Sequence, residues 1–149
     1  MITGGTRVAG SSAGPTRRLR VASVSRRTKS SYAASITITL EAAEHFYRDV
    51  FGMPLIHRDA TSAVYRFPNL LVNLLTIDNA PELIAPAPVG QAGTPARLML
   101  TLEVDDVDAF AAHLSAIGVD ILNGPQDRPW GPRTVTIADP SGHCWELSS

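Results

Sequence analysis

A long-period internal repeat is the feature that most restricts the fold of this chain. A capping residue followed by a helical apolar stripe occurs at Thr39-Leu40 and again, 67 residues later, at Asp106-Val107. In each half a short strand pattern precedes the helix and three strand-like runs follow it, so each half reads β-α-β-β-β. A period this long indicates two packed modules and not a solenoid of short repeats.

The first module, about residues 31–78, begins with a predicted strand and helix. Apolar side chains alternate over residues 33–38, and the helix that Thr39 caps keeps an apolar stripe until Gly52 ends it. The runs 55–58, 63–67 and 70–77 follow as strands. Residues 79–95 are rich in proline and glycine, so we expect a linker with little regular structure.

The second module, about residues 96–149, repeats this order. A strand pattern over residues 98–104 leads to a helix that Asp105 or Asp106 caps and Gly118 ends. The predicted strands 119–122, 133–138 and 143–147 complete the module. The two modules together predict a single α+β domain over residues 31–149.

The last two predicted strands form a hairpin around the turn Asp139-Pro140-Ser141-Gly142. Pro140 presets φ at the second turn position, and Gly142 can take the left-handed conformation that closes a loop with a bulge. A two-residue loop would place a carboxylate on the apolar face, so we favour the longer loop. The longer loop predicts four opposing pairs: Val135–Leu147, Thr136–Glu146, Ile137–Trp145 and Ala138–Cys144.

This register gives the hairpin two different faces. The packing face carries four apolar side chains, namely Val135, Ile137, Trp145 and Leu147. Glu146 is the single carboxylate on the opposite face, which is otherwise small and polar, with Thr136, Ala138 and Cys144. A lone carboxylate among small residues suggests a functional site.

Charge is distributed unevenly along the chain. Residues 1–30 carry seven basic side chains and no acid, whereas residues 31–149 carry six basic and fourteen acidic ones, a charge of about −8. An acidic body argues against nucleic acid as the main ligand. Residues 1–30 lack apolar periodicity, so we expect a disordered basic extension. It is either a non-functional extension, which we favour, or a targeting or nucleic-acid-binding arm.

Two further observations bear on location. No apolar run is long enough to cross a bilayer, and the basic leader lacks the apolar stretch of a secretory signal. Cys144 is the only cysteine, so an intrachain disulfide is excluded and a reducing compartment fits. We therefore expect a cytoplasmic protein without membrane contact.

Three motifs resemble the vicinal-oxygen-chelate superfamily, which includes glyoxalase I, extradiol dioxygenases and bleomycin-resistance proteins. They are TLEAAEHFYRDVFG at residues 39–52, EVDDVD at residues 103–108 and DPSGHCWE at residues 139–146. Their order and spacing match the superfamily over about residues 31–149. The resemblance implies two βαβββ modules whose strands curl into a mixed β-sheet cup, often completed across a homodimer, and we expect a homodimer here.

The resemblance also implies four cup-facing positions at which metal-using members place ligands. Glu146 occupies one of them, and the other three hold Met99, Asn73 and either Tyr32 or Ala33. Only Glu146 is a usual ligand of a divalent catalytic metal, and a methionine thioether matches the harder ions poorly. We therefore expect a degenerate metal site. His57 could also reach the cup, but its strand parity leaves this open.

The favoured function is metal-free binding of a small organic molecule in the cup, as in drug-resistance or metabolite-sequestering proteins of the superfamily. Trp130 lies in a Pro-Gly-rich loop, where its indole could stack on a planar ligand or cover the core. Arg133 could pair with an anionic group or lie in solvent. Met99, Asn73 and Tyr32 are further expected ligand contacts.

The alternative is an enzyme of the same superfamily. It would be a lyase, isomerase or dioxygenase that uses Fe, Zn, Ni or Mn, with Glu146 as one metal ligand. A third possibility is metal-free catalysis with Glu146 as general base, the only catalytic residue that the sequence offers. The sequence alone does not decide whether the protein is an enzyme, and we expect no cofactor in the favoured case.

Overall fold

Two four-stranded mixed sheets with flanking helices form the domain in the computed structural model, which describes residues 31–91 and 93–149. The basic extension predicted over residues 1–30 lies outside the described residues. The first module contains β1 (Tyr32–Thr37), α1 (Leu40–Phe51), β2 (Leu55–Arg58), β3 (Ser62–Arg66) and β4 (Leu71–Thr76). After α2 (Pro81–Ile84), the second contains β5 (Met99–Glu103), α3 (Val107–Ala116), β6 (Ile121–Asp127), β7 (Arg133–Ala138) and β8 (Cys144–Ser148).

The two sheets have the same topology. Their strand orders are β1-β4-β3-β2 and β5-β8-β7-β6, and in each sheet the first and last strands of the module pair in parallel. The remaining pairs are antiparallel. The predicted α+β duplication is therefore confirmed.

Most predicted boundaries agree with the structure, and the differences have local causes. Gly52 ends α1 with φ of 60°, and the Asp106 side chain accepts from the backbone N–H of Ala109 at 3.0 Å. Thr39 is the N-cap of α1 by position but makes no side-chain capping bond. The expectation of an irregular linker is wrong over α2, where Pro81 stands in the first turn, a position at which its missing N–H costs nothing.

The hairpin register is the one that the sequence predicts. All four opposing pairs occur, including Thr136 with Glu146 and Ile137 with Trp145. Gly142 has φ of 90°, and the backbone N–H of Gly142 donates to the carbonyl oxygen of Asp139 at 2.9 Å. Strand parity therefore separates Glu146 from the packing face.

One hydrophobic core joins the two modules. It combines the apolar faces of α1 and α3 with the inward side chains of both sheets. Trp145, only 2% exposed, stacks on Phe67 of the first module with ring centroids 5.4 Å apart. None of the helices in the described ranges is both long and apolar enough to span a membrane.

A buried carboxylate also joins the modules. Asp139, in the hairpin turn, accepts hydrogen bonds from Tyr47 Oη at 3.2 Å and from Ser35 Oγ at 3.4 Å, both in the first module. Within the turn it accepts from the backbone N–H groups of Ser141 and His143, each at 2.9 Å. Such bonds to an ionised acceptor are stronger than neutral ones, so they hold the turn against β1 and α1.

The imidazole of His143 completes this arrangement, because its Nδ1 lies 3.1 Å from both Asp139 carboxylate oxygens. Burial acts to raise the pKa of Asp139, but hydrogen bonds and the charge of His143 together hold it below its ordinary value of 3.8. The hydrogen bond to Asp139 raises the pKa of His143 above its ordinary value of 6.5. The pair is therefore most stable with the carboxylate ionised and the imidazole protonated.

Replacing Asp139 with alanine should strongly destabilise the fold, because buried donors of Tyr47, Ser141 and His143 lose their acceptor. We expect a loss of about 3 kcal/mol in the free energy of unfolding, measured by urea denaturation. The control is Asp120→Ala, which changes an exposed carboxylate before β6. Equal stability of the two variants would contradict this role.

The contribution of His143 to stability should depend on pH with a defined sign. Its pKa is raised in the folded state, so its stabilisation is present below about pH 6.5 and is lost as the pH rises through the raised value. The pKa of Asp139 is lowered, so its contribution is lost only when the pH falls below about 3.8. The Tm difference between the wild type and His143→Gln should therefore shrink from pH 6 to pH 9. A constant difference would refute the linkage.

Candidate ligand-binding site

The candidate site lies on the helix-free face, which we define as the side of each sheet opposite α1 and α3. Core side chains such as Val72 and Leu147 point toward the helices, so the residues between them in each strand point away. Glu146 is on this face, directly between Thr101 of β5 and Thr136 of β7. Strand alternation alone thus excludes Glu146 from the core.

Glu146 has neutral, hydroxyl-bearing neighbours. Thr101 Oγ1 donates to Glu146 Oε2 at 3.1 Å. The cross-strand row continues through Thr136 to Asn123 in β6, so that four polar side chains cross all four strands of the second sheet. No lysine or arginine lies within 4 Å of Glu146 among the described residues. Its carboxylate can therefore accept hydrogen bonds from a ligand.

The structure places the other predicted positions on the same side of their sheets. Tyr32 is 66% exposed, and its partner in β4 is Leu71, two residues from Asn73. Met99 is 48% exposed and lies opposite Cys144. Ala33, the alternative to Tyr32, pairs with Val72 of the core and faces the helices.

This donor set does not fit a divalent catalytic metal. Of Tyr32, Asn73, Met99 and Glu146, only Glu146 offers a carboxylate or imidazole. Within residues 31–91 and 93–149, no three His, Cys, Asp or Glu side chains come together as a metal-binding group. Asn73 adds one feature of its own, since its Oδ1 is buried without a hydrogen-bond partner in the described part of the chain.

Strand register also shows which face of the sheet carries His57, a point that the sequence leaves open. His57 lies opposite Val64, and Val64 lies opposite Asn73, so all three share the helix-free face of the first sheet. A register shift between Leu55 and His57 puts these two residues on opposite faces of the sheet, although strict strand alternation would put them on the same face. The sequence pattern therefore does not reveal the face of His57. The imidazole Nε2 is 3.1 Å from a carboxylate oxygen of Asp59.

Arg133 lies away from Glu146, on the helix side of β7. Its guanidinium pairs with Asp108 of α3 at 2.8 Å and with Asp127 at 3.0 Å. These two carboxylates compensate the charge of Arg133, which is therefore not part of the candidate site. A second arginine, Arg128, lies over the helix-free face instead: Nε donates to Thr134 Oγ1 at 2.6 Å and Nη2 to Asn123 Oδ1 at 2.7 Å.

Trp130 lies in the tight loop between β6 and β7. The loop is closed by hydrogen bonds from Arg128 N to Pro132 O at 2.8 Å and from Gly131 N to Arg128 O at 2.9 Å. The indole is 71% exposed, and the guanidinium carbon of Arg128 lies 5.9 Å from its ring centroid. This exposure argues against Trp130 as a cover over the core, and stacking on a ligand stays a prediction.

An irregular segment of β6 builds this side of the site. The predicted strand 119–122 is extended in the structure to Asp127, across Gly124 and Pro125. Register shifts on either side of Asn123 place Asn123 opposite Thr136 and Gln126 opposite Thr134, on one face although three residues apart. At Gly124, with φ of 86°, an added Cβ would overlap the carbonyl oxygen of Thr134.

The substitution Gly124→Ala should therefore disrupt β6 more than a glycine change at another left-handed position. Gly142→Ala, at φ of 90°, is the matched control, because an added Cβ there meets nothing within 4 Å. We expect Gly142→Ala to cost about 1–3 kcal/mol through backbone strain alone. Gly124→Ala should cost more, as measured by urea unfolding, and equal costs would contradict this account of β6.

The two tryptophans should respond differently to a soluble quencher. Trp130 is 71% exposed and Trp145 is 2% exposed, so acrylamide should quench Trp130 far more efficiently. Removing the exposed indole with Trp130→Phe should leave weakly quenched emission. If the Trp130→Phe protein retained the wild-type quenching constant, the exposed position of Trp130 would be wrong.

Comparison with known proteins gives consistent matches. A glyoxalase/bleomycin resistance protein/dioxygenase from Nocardioides is 25% identical, with a TM-score of 0.72 over 85% of each chain. TioX from Micromonospora sp. ML1 is 26% identical, with a TM-score of 0.62 over 80% of this chain and 96% of that one. An uncharacterized protein of Mycobacterium bovis is 33% identical over 84 residues, 52% of this chain and 54% of the relative. The chain thus spans about half the length of the curated relatives it matches.

The family match covers both modules. The sequence profile described as Glyoxalase/Bleomycin resistance protein/Dioxygenase superfamily matches residues 29–147, from just before β1 into β8. This range includes the three motifs on which the resemblance rests, and the paired βαβββ topology agrees with it. The chain therefore belongs to the Glyoxalase/Bleomycin resistance protein/Dioxygenase superfamily.

Proposed function

We propose that the protein binds a small organic molecule on the helix-free face of the second sheet without a metal ion. The observation that carries this proposal is the polar row from Thr101 through Glu146 and Thr136 to Asn123, with Trp130 exposed on the adjoining loop. A row of hydrogen-bonding side chains beside an exposed aromatic ring suits a planar, polar ligand. Glu146 accepts hydrogen bonds from the ligand, and the indole stacks on it.

The residues at the expected metal positions support a metal-free site. Tyr32, Asn73 and Met99 leave Glu146 as the only hard anionic ligand, and a single carboxylate holds a divalent ion weakly. The polar neighbours of Glu146 are hydroxyl groups that suit a hydrogen-bonding ligand equally well. Sequestration of a drug or metabolite is the form of this function that we favour.

A metal-dependent reaction is the second candidate function, because the superfamily includes metal-using lyases, isomerases and dioxygenases. Glu146 supports this candidate as the one residue of the expected type at a ligand position. If no metal binds but a substrate is found, the same carboxylate is the candidate general base.

The first experiment separates binding from metal chemistry. Protein purified without chelators is analysed for metals and then titrated with Fe(II), Zn(II), Ni(II) and Mn(II) by isothermal titration calorimetry. We expect no stoichiometric metal and no tight binding, because one carboxylate is too few ligands. Tight binding of one ion per chain that Glu146→Gln abolishes would overturn the proposal in favour of the enzyme.

The second experiment tests the ligand contacts with 4-nitrobenzamide, a neutral planar probe that quenches tryptophan. We expect saturable quenching of Trp130, since its indole is exposed. Glu146→Gln should weaken binding about tenfold, the usual effect of losing a hydrogen bond to a charged acceptor. Glu82→Gln, at an exposed carboxylate of α2, is the control. Unchanged affinity in Glu146→Gln would exclude Glu146 as a contact.

We also propose that two chains associate, and that the protein is cytoplasmic. Large apolar side chains are exposed at Tyr32 and Met99, the first residues of the edge strands β1 and β5, and at Leu55 and Ile56 of the edge strand β2. Burial of such side chains in a homodimer is favourable. Multi-angle light scattering should give twice the chain mass, and a monomer at micromolar concentration would refute the dimer.

The free thiol of Cys144 supports the proposed cytoplasmic location, because it fits a reducing compartment.

A further inference from the structure

We propose that Arg128 makes the site selective for ligands that carry an oxyanion group, a carboxylate or a phosphate, next to a planar ring. This inference rests on the proposed function and adds the chemical class of the ligand. Its basis is the placement of the guanidinium. Because Thr134 and Asn123 both belong to the helix-free face, the hydrogen bonds of Arg128 to them put its charge on the side of Glu146.

The charge of Arg128 is not compensated by the described part of the chain. Its two side-chain partners are a hydroxyl and an amide, which fix its position but carry no charge. The amide of Gln126 lies against the same guanidinium and is also neutral. No described carboxylate oxygen lies within 4 Å of a guanidinium nitrogen of Arg128. By contrast, Arg133 pairs with two carboxylates, and Arg58 pairs with Glu44 at 2.9 Å. A fixed, half-buried cation without a counterion favours an anion from solution.

Trp130 supplies the second half of the recognition. The guanidinium carbon lies 5.9 Å from the indole centroid, so the cation and the aromatic face are next to each other. A ligand ring that stacks on the indole can direct an attached oxyanion toward Arg128. The closed loop from Arg128 to Pro132 holds both groups before any ligand binds, which lowers the entropy cost of binding.

The acidic residues of the same face orient the ligand. Glu146 accepts a hydrogen bond from Thr101 of β5. Glu103, also in β5, pairs with Ser148, which in turn pairs with Thr134. Glu146 is one strand away from Thr134 and two residues further along, roughly 8 Å at the level of the backbone. The face is therefore positive at the β6–β7 side and negative at the β5–β8 side. A ligand with its oxyanion at Arg128 turns a hydroxyl or amino group toward Glu146.

Three probes of equal ring size test this inference by quenching of Trp130: 4-nitrobenzoate, 4-nitrophenyl phosphate and 4-nitrobenzamide. Trp145 is 2% exposed, so the quenching reports on Trp130. In the wild type we expect both anions to bind about tenfold more tightly than the neutral amide, because a charge-assisted contact is gained. Comparing the dissociation constants of the two anions distinguishes a carboxylate site from a phosphate site, because the anion that binds more tightly carries the group that fits.

Variants assign the preference to Arg128. Arg128→Met should abolish the preference, Arg128→Lys should retain part of it, and Arg58→Met, an arginine on the helix side of β2, should leave it unchanged. Because Arg128 also holds the Trp130 loop, binding of 4-nitrobenzamide to Arg128→Met shows whether the loop survives. Thr134→Val, which keeps the charge and removes the Nε partner, should retain a preference for the anions.

The outcomes separate this inference from the proposed function. If all three probes bind equally to the wild type, or if the anion preference survives in Arg128→Met, the role of Arg128 is refuted while ligand binding stands. If none of the probes quenches Trp130 saturably at millimolar concentration, both proposals fail. Loss of 4-nitrobenzamide binding in Arg128→Met, with no anion preference in Thr134→Val, would reduce Arg128 to a structural support of the loop.

Discussion

The arrangement of the two modules depends on the hydrogen bonds that the buried carboxylate of Asp139 accepts. It receives hydrogen bonds from β1 and α1 of the first module and from the backbone of its own turn. Trp145 extends the connection, since its indole N–H donates to Tyr47 Oη at 3.3 Å while its ring packs in the shared core. An ionised group can be buried here only because each oxygen has several donors.

The same turn determines what β8 presents on each side. With Asp139 and Gly142 closing the loop, Trp145 points into the core, and the next residue, Glu146, must point away from it. The second sheet therefore carries a polar row and a charged loop. The corresponding row of the first sheet contains Ala34, Asn73, Val64 and His57. The duplicated modules share a fold, but their helix-free faces differ chemically.

Much of this could be predicted from local patterns. Alternation and turn chemistry gave the order of the elements and the four hairpin pairs, since both act between residues close in the chain. The face of His57 and the joint placement of Asn123 and Gln126 could not be predicted, because bulges in edge strands change the parity of every following residue. The position of Arg128 could not be predicted for the same reason, and the sequence analysis considered only Arg133, which lies on the helix side.

The sequence by itself determined the duplication, the α+β class, the hairpin register and the polar environment of Glu146. Period and turn residues encode these features within short segments. Only the tertiary structure decided that Asp139 meets Ser35, 104 residues away, and that Arg128 shares a face with Glu146 while Arg133 pairs with Asp108. The first contact depends on how the two modules pack. The other two depend on the register shifts of β6 and on the packing of α3 against β7, and no local pattern specifies either.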